Sequence, residues 1–309
     1  MGRYLVVGLG PAGSILAAHL ANAGAMVCGL DVCPEISRAI QQAGLRLTGF
    51  TAIESQLAQT CSAIDELEHR EFDYVVIAVK TPFLAAAVQA IEQLEGQFKV
   101  VSLQNGLDNE EFLSRHFGKD RVLRIVVNYA GILNGPGNVE MTFFHKPNFV
   151  GCVCAEENCM DSQRLATELT AADLDTKSVD DIKRFTWRKT ILNAALSPVS
   201  SVMGLTMAEV MNSKEGFQLV EMLLKECISV AQAAGYDYGE GFYDHCLDYL
   251  ARGGHHKPSM LIDLENHNHT EIDYINGMVD SYGYQLNVPV PVNTVLTALV
   301  KARERNGRP

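Results

Sequence analysis

Cations are the first shortage: 25 Lys and Arg stand against 37 Asp and Glu, a formal net charge of -12 at pH 7. The mean field of such a chain repels phosphate. It therefore argues against nucleic acid or an anionic membrane as partner, and any anionic ligand must be held by local groups. Long apolar runs are also missing. Only Arg3 precedes Tyr4-Leu5-Val6-Val7, and glycines interrupt that run at once, so no signal-peptide core is expected. The charge-free stretch Thr190 to Ala208 contains Asn193, Pro198, three serines and Gly204, which are costly in hydrocarbon, so no membrane span is expected. The eight cysteines follow no regular framework and are expected to be small buried hydrophobes in a reducing compartment, the cytoplasm. Their closest group, Cys152, Cys154 and Cys159, falls on an expected strand and the turn after it. His255-His256, and His267 and His269 near Glu271, lack a recognised ligand spacing, so no metal site is expected. Asn268-His269-Thr270 matches a glycosylation acceptor, which has no bearing without an export signal. Internal repeats and low-complexity segments are absent.

What is present is enough for two domains: 309 residues with 47% hydrophobic content can fill two cores. Up to about residue 180, short apolar runs alternate with helical patterns, Tyr4–Val7, Met26–Leu30, Tyr74–Val79 and Val100–Leu103 being the strand candidates. That alternation predicts an α/β domain, a doubly wound parallel sheet of Rossmann type over residues 1–180. Between Arg121 and Gly151 strand-like segments flank a Gly135-Pro136-Gly137 turn, predicting extra, partly antiparallel strands that extend the sheet. From residue 181 to 309 the pattern is all-helical. The expected helices are Asp181–Leu196 ended by Pro198, Lys214–Ala234 ended by Gly235, Gly239–Leu250, Thr270–Tyr282, and Pro291–Arg303 opened by its proline, with 303–309 a frayed end.

Gly8-Leu9-Gly10-Pro11-Ala12-Gly13 follows the first expected strand and precedes a helix of small apolar residues. Gly8 permits the tight turn, Gly10 the approach of backbone to a pyrophosphate, and Gly13 close helix-to-strand packing. With Asp31 at the end of the second strand, the arrangement predicts a dinucleotide site made of Gly8 to Gly13. A carboxylate there accepts hydrogen bonds from ribose hydroxyls and repels a 2′-phosphate, so Asp31 favours NADH over NADPH. The alternative is that Asp31 merely ends the strand while a cation such as Arg38 holds a phosphate. Lys80 and Asn105 follow the next two apolar strands, at the carboxyl ends where open α/β sheets place ligands. Both are candidate cofactor contacts, and Asn105 is a candidate substrate contact as well. Lys80 as a solvated loop cation and Asn105 as a turn former with Gly106 are the plain readings beside these.

In the helical half, Lys189 and Asn193 lie four residues apart in Trp187-Arg188-Lys189-Thr190-Ile191-Leu192-Asn193, so one ammonium and one amide share a helix face. Ser259 and Glu271 follow. The pieces Gly8 to Gly13, Val79-Lys80-Thr81, Gln104-Asn105-Gly106, Trp187-Arg188-Lys189 with Asn193, Ser259-Met260 with Asp263, and Thr270-Glu271-Ile272-Asp273-Tyr274-Ile275-Asn276-Gly277 span nearly the whole chain. In this order they resemble the ketopantoate reductases (2-dehydropantoate 2-reductases) and their 2-oxoacid reductase relatives. The resemblance implies NADPH-dependent reduction of ketopantoate to pantoate on the route to pantothenate, a substrate cleft between the two domains, and a homodimer. It further implies that Lys189 is the general acid, that Asn193 and Asn105 orient the substrate, that Ser259 binds near its carboxylate, and that Glu271 binds its hydroxyl.

The chemistry asks for the same residue types. Hydride arriving at a carbonyl carbon builds negative charge on oxygen, which a charged donor such as Lys189 stabilises and protonates. A neutral amide from Asn193 or Asn105 fixes the carbonyl without competing for the proton. Glu271 beside Lys189 keeps the ammonium charged and accepts a hydrogen bond from a substrate hydroxyl. Singly, each residue has a plain reading: Lys189 a solvated helix lysine, Asn193 a buried amide, Ser259 a helix cap, and Glu271 a helix start. Three departures from the family pattern bear on substrate and cofactor. Ser197 stands where a second asparagine is frequent, which makes it a candidate substrate contact. Asn266-His267-Asn268-His269 replaces an arginine or glycine, and Asp31-Val32-Cys33 replaces a phosphate-binding cation. The competing readings are an NAD-dependent D-2-hydroxyacid dehydrogenase of other branched 2-oxoacids, a 3-hydroxyacid dehydrogenase, against which the Ser259 to Glu271 segment argues, and a non-catalytic dinucleotide sensor.

Overall fold

The computed structural model describes residues 1–154 and 159–306. The chain divides into two compact units: Met1–Gln104 with Asp108–Ile182, and Asn105–Leu107 with Lys183–Pro309.

The first unit opens with β1 (Arg3–Val7), α1 (Pro11–Asn22), β2 (Met26–Leu30), α2 (Pro34–Ala43), β3 (Leu45–Gly49), β4 (Ile53–Ser55) and β5 (Gln59–Cys61). It continues with β6 (Tyr74–Ile77), α3 (Leu84–Ile91), β7 (Lys99–Ser102), α4 (Asn109–Phe117) and β8 (Val122–Val126). It closes with β9 (Tyr129–Gly135), β10 (Asn138–Phe144), β11 (Asn148–Cys152), α5 (Met160–Ala171) and β12 (Thr176–Ser178). Eight strands form the main sheet in the order β12-β11-β8-β7-β6-β1-β2-β5. Its central strands are parallel and apolar on both faces, Tyr4 to Val6 and Val75 to Ile77 being almost wholly buried, as a sheet covered on both sides requires.

The segment after Arg121 does not simply extend this sheet. Strand β8 joins it in parallel and β11 antiparallel, whereas β10 pairs with β9 and with β3, forming a separate four-stranded sheet in the order β4-β3-β10-β9. The reason lies in α1, which is apolar nearly all round, with Ile15, Leu16, Ala17, Ala18 and Leu20 inaccessible to solvent. A helix without a polar face must be covered on both sides. The second sheet supplies the outer cover, and Val139, Met141 and Leu47 join Ile15 and Leu16 in one core. The Gly135-Pro136-Gly137 turn connects β9 to β10, and the Lys146–Pro147 peptide before β11 is cis.

Cys152 and Cys159 depart from the expected free thiols. The end of β11 and the residue before α5 bring their Cα atoms to 6.3 Å, within disulfide reach, and they are bonded. Cys28, Cys61, Cys227 and Cys246 are buried thiols. Burial pushes the Cys61 and Cys246 thiols up to about 12, so they are unreactive fillers.

The second unit is helical: α6 (Ile182–Met203), α7 (Met207–Asn212), α8 (Lys214–Ala233), α9 (Phe242–Ala251), α10 (Ser259–Glu265), α11 (Ile272–Leu286) and α12 (Pro291–Asn306). Its core gathers Trp187, Ile191, Val199, Leu223, Leu224 and Val279. Two of its helices, α7 and α10, go beyond the sequence expectation. Thr206 starts α7 with a capping box to Glu209. The last helix runs to Asn306, so only 307–309 of the expected frayed end lie outside the described residues. None of the described helices is long and apolar enough to cross a membrane.

The clearest correction concerns Pro198, which does not end α6. Proline removes the donor that would serve the carbonyl four residues earlier, that of Ala194. Asn276 of α11 replaces it: its Nδ2 donates to the Ala194 carbonyl at 3.0 Å and to Asn293 Oδ1 at 2.8 Å. Asn293 in turn donates from Nδ2 to the Asn276 carbonyl at 2.8 Å, and both amides are fully buried. With its carbonyl satisfied from a neighbouring helix, α6 continues for five residues past the proline.

Candidate active site

In the first unit the glycine-rich turn joins β1 to α1. Gly8 has φ +96°, and a Cβ there would lie 2.6 Å from the Val79 backbone nitrogen, so only glycine fits. Gly13 is tighter still, since a Cβ would meet the Gly8 carbonyl oxygen at 2.0 Å and Ala78 Cβ at 3.0 Å. At Gly10, by contrast, a Cβ would meet nothing within 4 Å, which leaves open space beside the backbone. Pro11 is the first residue of α1 and has no N–H, while Ser14 N–H is taken by the Gly10 carbonyl at 2.9 Å. The helix therefore presents the N–H groups of Ala12 and Gly13 beyond its first turn, at the positive end of its dipole. Open space and outward amides fit a pyrophosphate.

Asp31 is tied to this turn. One carboxylate oxygen accepts Leu9 N–H at 2.8 Å and the other accepts Cys33 N–H at 3.0 Å. Leu9 itself is a core residue whose side chain is sealed inside, so its part in the site is this backbone contact. Arg38 is exposed on α2, with its Nε donating to the Pro34 carbonyl at 3.0 Å. Lys80 is half-buried just past β6, at the start of a short 3-10 turn.

In the second unit Asn105 and Glu271 come together, Asn105 Nδ2 donating to Glu271 Oε2 at 3.1 Å although 166 residues separate them. The turn around Asn105 is fixed to the start of α11. Leu107 N–H donates to the Tyr274 carbonyl at 3.1 Å, and Gly106, with φ +90°, lies so close that a Cβ would sit 2.3 Å from that same oxygen. Glu271 occupies the N-cap position of α11, and Asp273 in the first turn pairs with Lys301 at 2.6 Å. Lys189, Asn193 and Ser197 succeed one another at four-residue spacing along α6, the first two half-buried and Ser197 buried. The Asn276 bond to Ala194 anchors the Glu271-bearing helix at the residue next to Asn193.

Ser259 is exposed at the first position of α10 and is not its cap, which is Pro258. Of the histidines near Glu271, His269 faces Glu304 at 3.1 Å, and Glu304 also accepts from Thr270 Oγ1 at 2.7 Å. No group of three or more metal-ligating side chains occurs among the described residues.

Sequence reading missed two supports of the site. Asn276 was visible only as a letter in a motif; the signal that points to it is Pro198 inside a helical pattern, which orphans a carbonyl that something must satisfy. The second is a buried cluster at Gln104, the residue before Asn105 in the chain. Arg124 donates to Glu110 Oε2 at 3.2 Å, to Ser102 Oγ at 2.9 Å and to the Gln104 carbonyl at 2.5 Å. No local spacing links these residues, because Arg124 and Ser102 meet across paired strands.

A family model described as ketopantoate reductase PanE/ApbA matches residues 4–153, and one for the C-terminal part of the same family matches residues 181–304. The chain is 28% identical over 281 residues to a 2-dehydropantoate 2-reductase of Streptococcus pyogenes serotype M6, covering 89% of each. Its identity to the enzyme of that name from Pyrococcus abyssi is 27% over 307 residues, 98% of each. Among solved structures, the 2-dehydropantoate 2-reductase of Geobacter metallireducens GS-15 superposes with a TM-score of 0.90 at 25% identity, over 97% of this chain and 99% of that one. D-mandelate dehydrogenase, solved with NADH and anilino(oxo)acetate, superposes with a TM-score of 0.90 at 24% identity over 99% of both chains, a likeness of fold.

Proposed function

The chain belongs to the ketopantoate reductase family of oxidoreductases, and on that premise we propose that it reduces a 2-oxoacid, ketopantoate to pantoate, with a nicotinamide dinucleotide and with Lys189 as proton donor. The observation that carries this reading is the 3.1 Å pairing of Asn105 with Glu271, which joins an amide donor and a carboxylate acceptor from distant parts of the chain. A substrate with both a carbonyl and a hydroxyl needs one group of each kind.

When bound, the reduced dinucleotide supplies a hydride to the carbonyl carbon. The chain's own residues do the rest. Lys189 stabilises the charge that builds on the carbonyl oxygen and gives it a proton, which the amine regains from solvent. Asn193, one turn along the same helix face, and Asn105 hold the carbonyl in place without titrating, with Ser259 near the carboxylate. Glu271 accepts the hydrogen bond of the substrate hydroxyl, and Ser259 and Ser197 are further polar contacts for the substrate. On the cofactor side, Gly8 to Gly13 grip the pyrophosphate through the Ala12 and Gly13 amides, and Lys80 and Asn105 contact the nicotinamide end.

We assign NADH as the preferred cofactor. Each Asp31 oxygen accepts one backbone N–H and keeps a lone pair for a ribose hydroxyl, and its charge opposes a 2′-phosphate. The family resemblance favours NADPH, with Arg38 as the available cation. Reduction of other branched 2-oxoacids with NADH, a D-2-hydroxyacid dehydrogenase activity, is the second reading, favoured by Asp31 and by Ser197 in place of an asparagine. A homodimer in the cytoplasm completes the proposal.

The deciding experiment follows cofactor oxidation with ketopantoate and a panel of branched 2-oxoacids, each with NADH and NADPH. Highest kcat/KM for ketopantoate supports the leading reading, and preference for another 2-oxoacid moves the chain to the second. Tight NADH binding with no turnover of any substrate would leave a dinucleotide sensor.

A further inference from the structure

We infer that the buried Arg124–Glu110 pair is a positioning device for the turn that carries Asn105; this rests on the role of Asn105 proposed above. Arg124 and Glu110 are each only 2% exposed, and Ser102 and Gln104 beside them 0% and 5%. Four polar side chains sealed at the end of β7 carry a desolvation cost that apolar residues there would not. Their contacts converge on one peptide group. Arg124 donates from one nitrogen to Ser102 and Glu110 and from the other to the Gln104 carbonyl, the carbonyl of the peptide that leads into Asn105. Ser102 Oγ, in turn, donates to Gln104 Oε1 at 3.0 Å, fixing the side chain of the same residue.

Glu110 lies in the first turn of α4, just after the Asn105 turn, and its carboxylate orients the guanidinium. The other end of the turn is held by Leu107 N–H on the Tyr274 carbonyl. The two residues between these restraints, Asn105 and Gly106, hold the Asn105 side chain toward Glu271. Arginine suits this task because its planar fork reaches three acceptors at once; a lysine keeps the charge but not the fork. A displacement of about 1 Å in such a group lowers turnover by up to about 100-fold.

The test compares Arg124→Lys, Asn105→Ala and the double variant by kinetics with the best 2-oxoacid and by hydrogen exchange at the Leu107 amide. Tm serves as the control for folding. Expected for Arg124→Lys are faster exchange at Leu107, a kcat/KM lowered about 10- to 100-fold with Tm retained, and no further loss when it is added to Asn105→Ala. Unchanged exchange at Leu107, or losses that multiply in the double variant, would overturn the inference and leave the role of Asn105 intact. Faster exchange with an Asn105→Ala variant of full activity keeps the positioning and removes Asn105 from the reaction. Should Arg124→Lys not fold, the variant Glu110→Met with Arg124→Met removes both charges together and is read by the same criteria.

Discussion

Replacing Asn276 by alanine removes the donor that lets α6 continue through Pro198. Two buried acceptors then lose their hydrogen bonds, the Ala194 carbonyl and Asn293 Oδ1. At about 1–3 kcal/mol for each orphaned group, the loss is about 2–6 kcal/mol. Asn276 Oδ1 is itself buried without a partner among the described residues, and its removal returns about 1–3 kcal/mol. The midrange net cost is about 2 kcal/mol, to which the cavity left by the amide adds. The mechanism is separable from a general packing defect. In a Pro198→Ala background residue 198 regains its N–H and can serve the Ala194 carbonyl through the ordinary helical bond, so the cost of Asn276→Ala should fall by about 1–3 kcal/mol. Urea unfolding followed by fluorescence measures both numbers. Trp187 is the only tryptophan and is fully buried in the helical core, so its emission reports on this unit alone. An equal cost of Asn276→Ala in the parent and in the Pro198→Ala background would refute the account.

Lys189→Ala should abolish kcat while NADH affinity, read by fluorescence titration, stays within about threefold, because the proton donor acts only as charge develops on the substrate oxygen; retained turnover removes Lys189 from the mechanism. Gly13→Ala should destabilise the first unit by about 1–3 kcal/mol or more, since the new methyl meets the Gly8 carbonyl at 2.0 Å, and should abolish dinucleotide binding with it. Calorimetry and titration check the two effects. His19 is buried in α1 with Nδ1 on the Ala172 carbonyl at 2.8 Å, and burial holds its ring below the usual histidine value of 6.5 against the opposing pull of that hydrogen bond. The folded protein keeps the ring neutral where the unfolded chain binds a proton, so His19's contribution is complete above pH 6.5 and is lost as pH falls below it. Unfolding midpoints between pH 8 and 5 should fall less steeply for His19→Gln than for the parent, and equal slopes would contradict the assignment.

What could be read from one dimension was whatever depends on short-range pattern. The buried parallel strands announced themselves as runs such as Tyr74 to Ile77, and the glycine turn by the strand before it, the helix after it and Asp31. Asn105 and Glu271, by contrast, were each expected at the substrate only through family resemblance, and their pairing was not expected, since nothing local relates residues 166 positions apart. The Arg124 cluster was hidden because its partners stand 14 to 22 residues away on other elements, beyond any helix or strand period. The Pro198 error has a different origin: a proline breaks a helix only if its orphaned carbonyl stays unsatisfied, and that depends on what packs alongside.

By itself the sequence determined the two-part architecture and the glycine-rich turn between β1 and α1, because backbone sterics and hydrophobic periodicity act between near neighbours. Only the tertiary structure decided that β9 and β10 leave the main sheet to cover α1, that Asn276 carries α6 past its proline, and that Arg124 grips the peptide before Asn105. Each of these satisfies a buried group whose partner lies far along the chain, and such partners are chosen by packing in three dimensions.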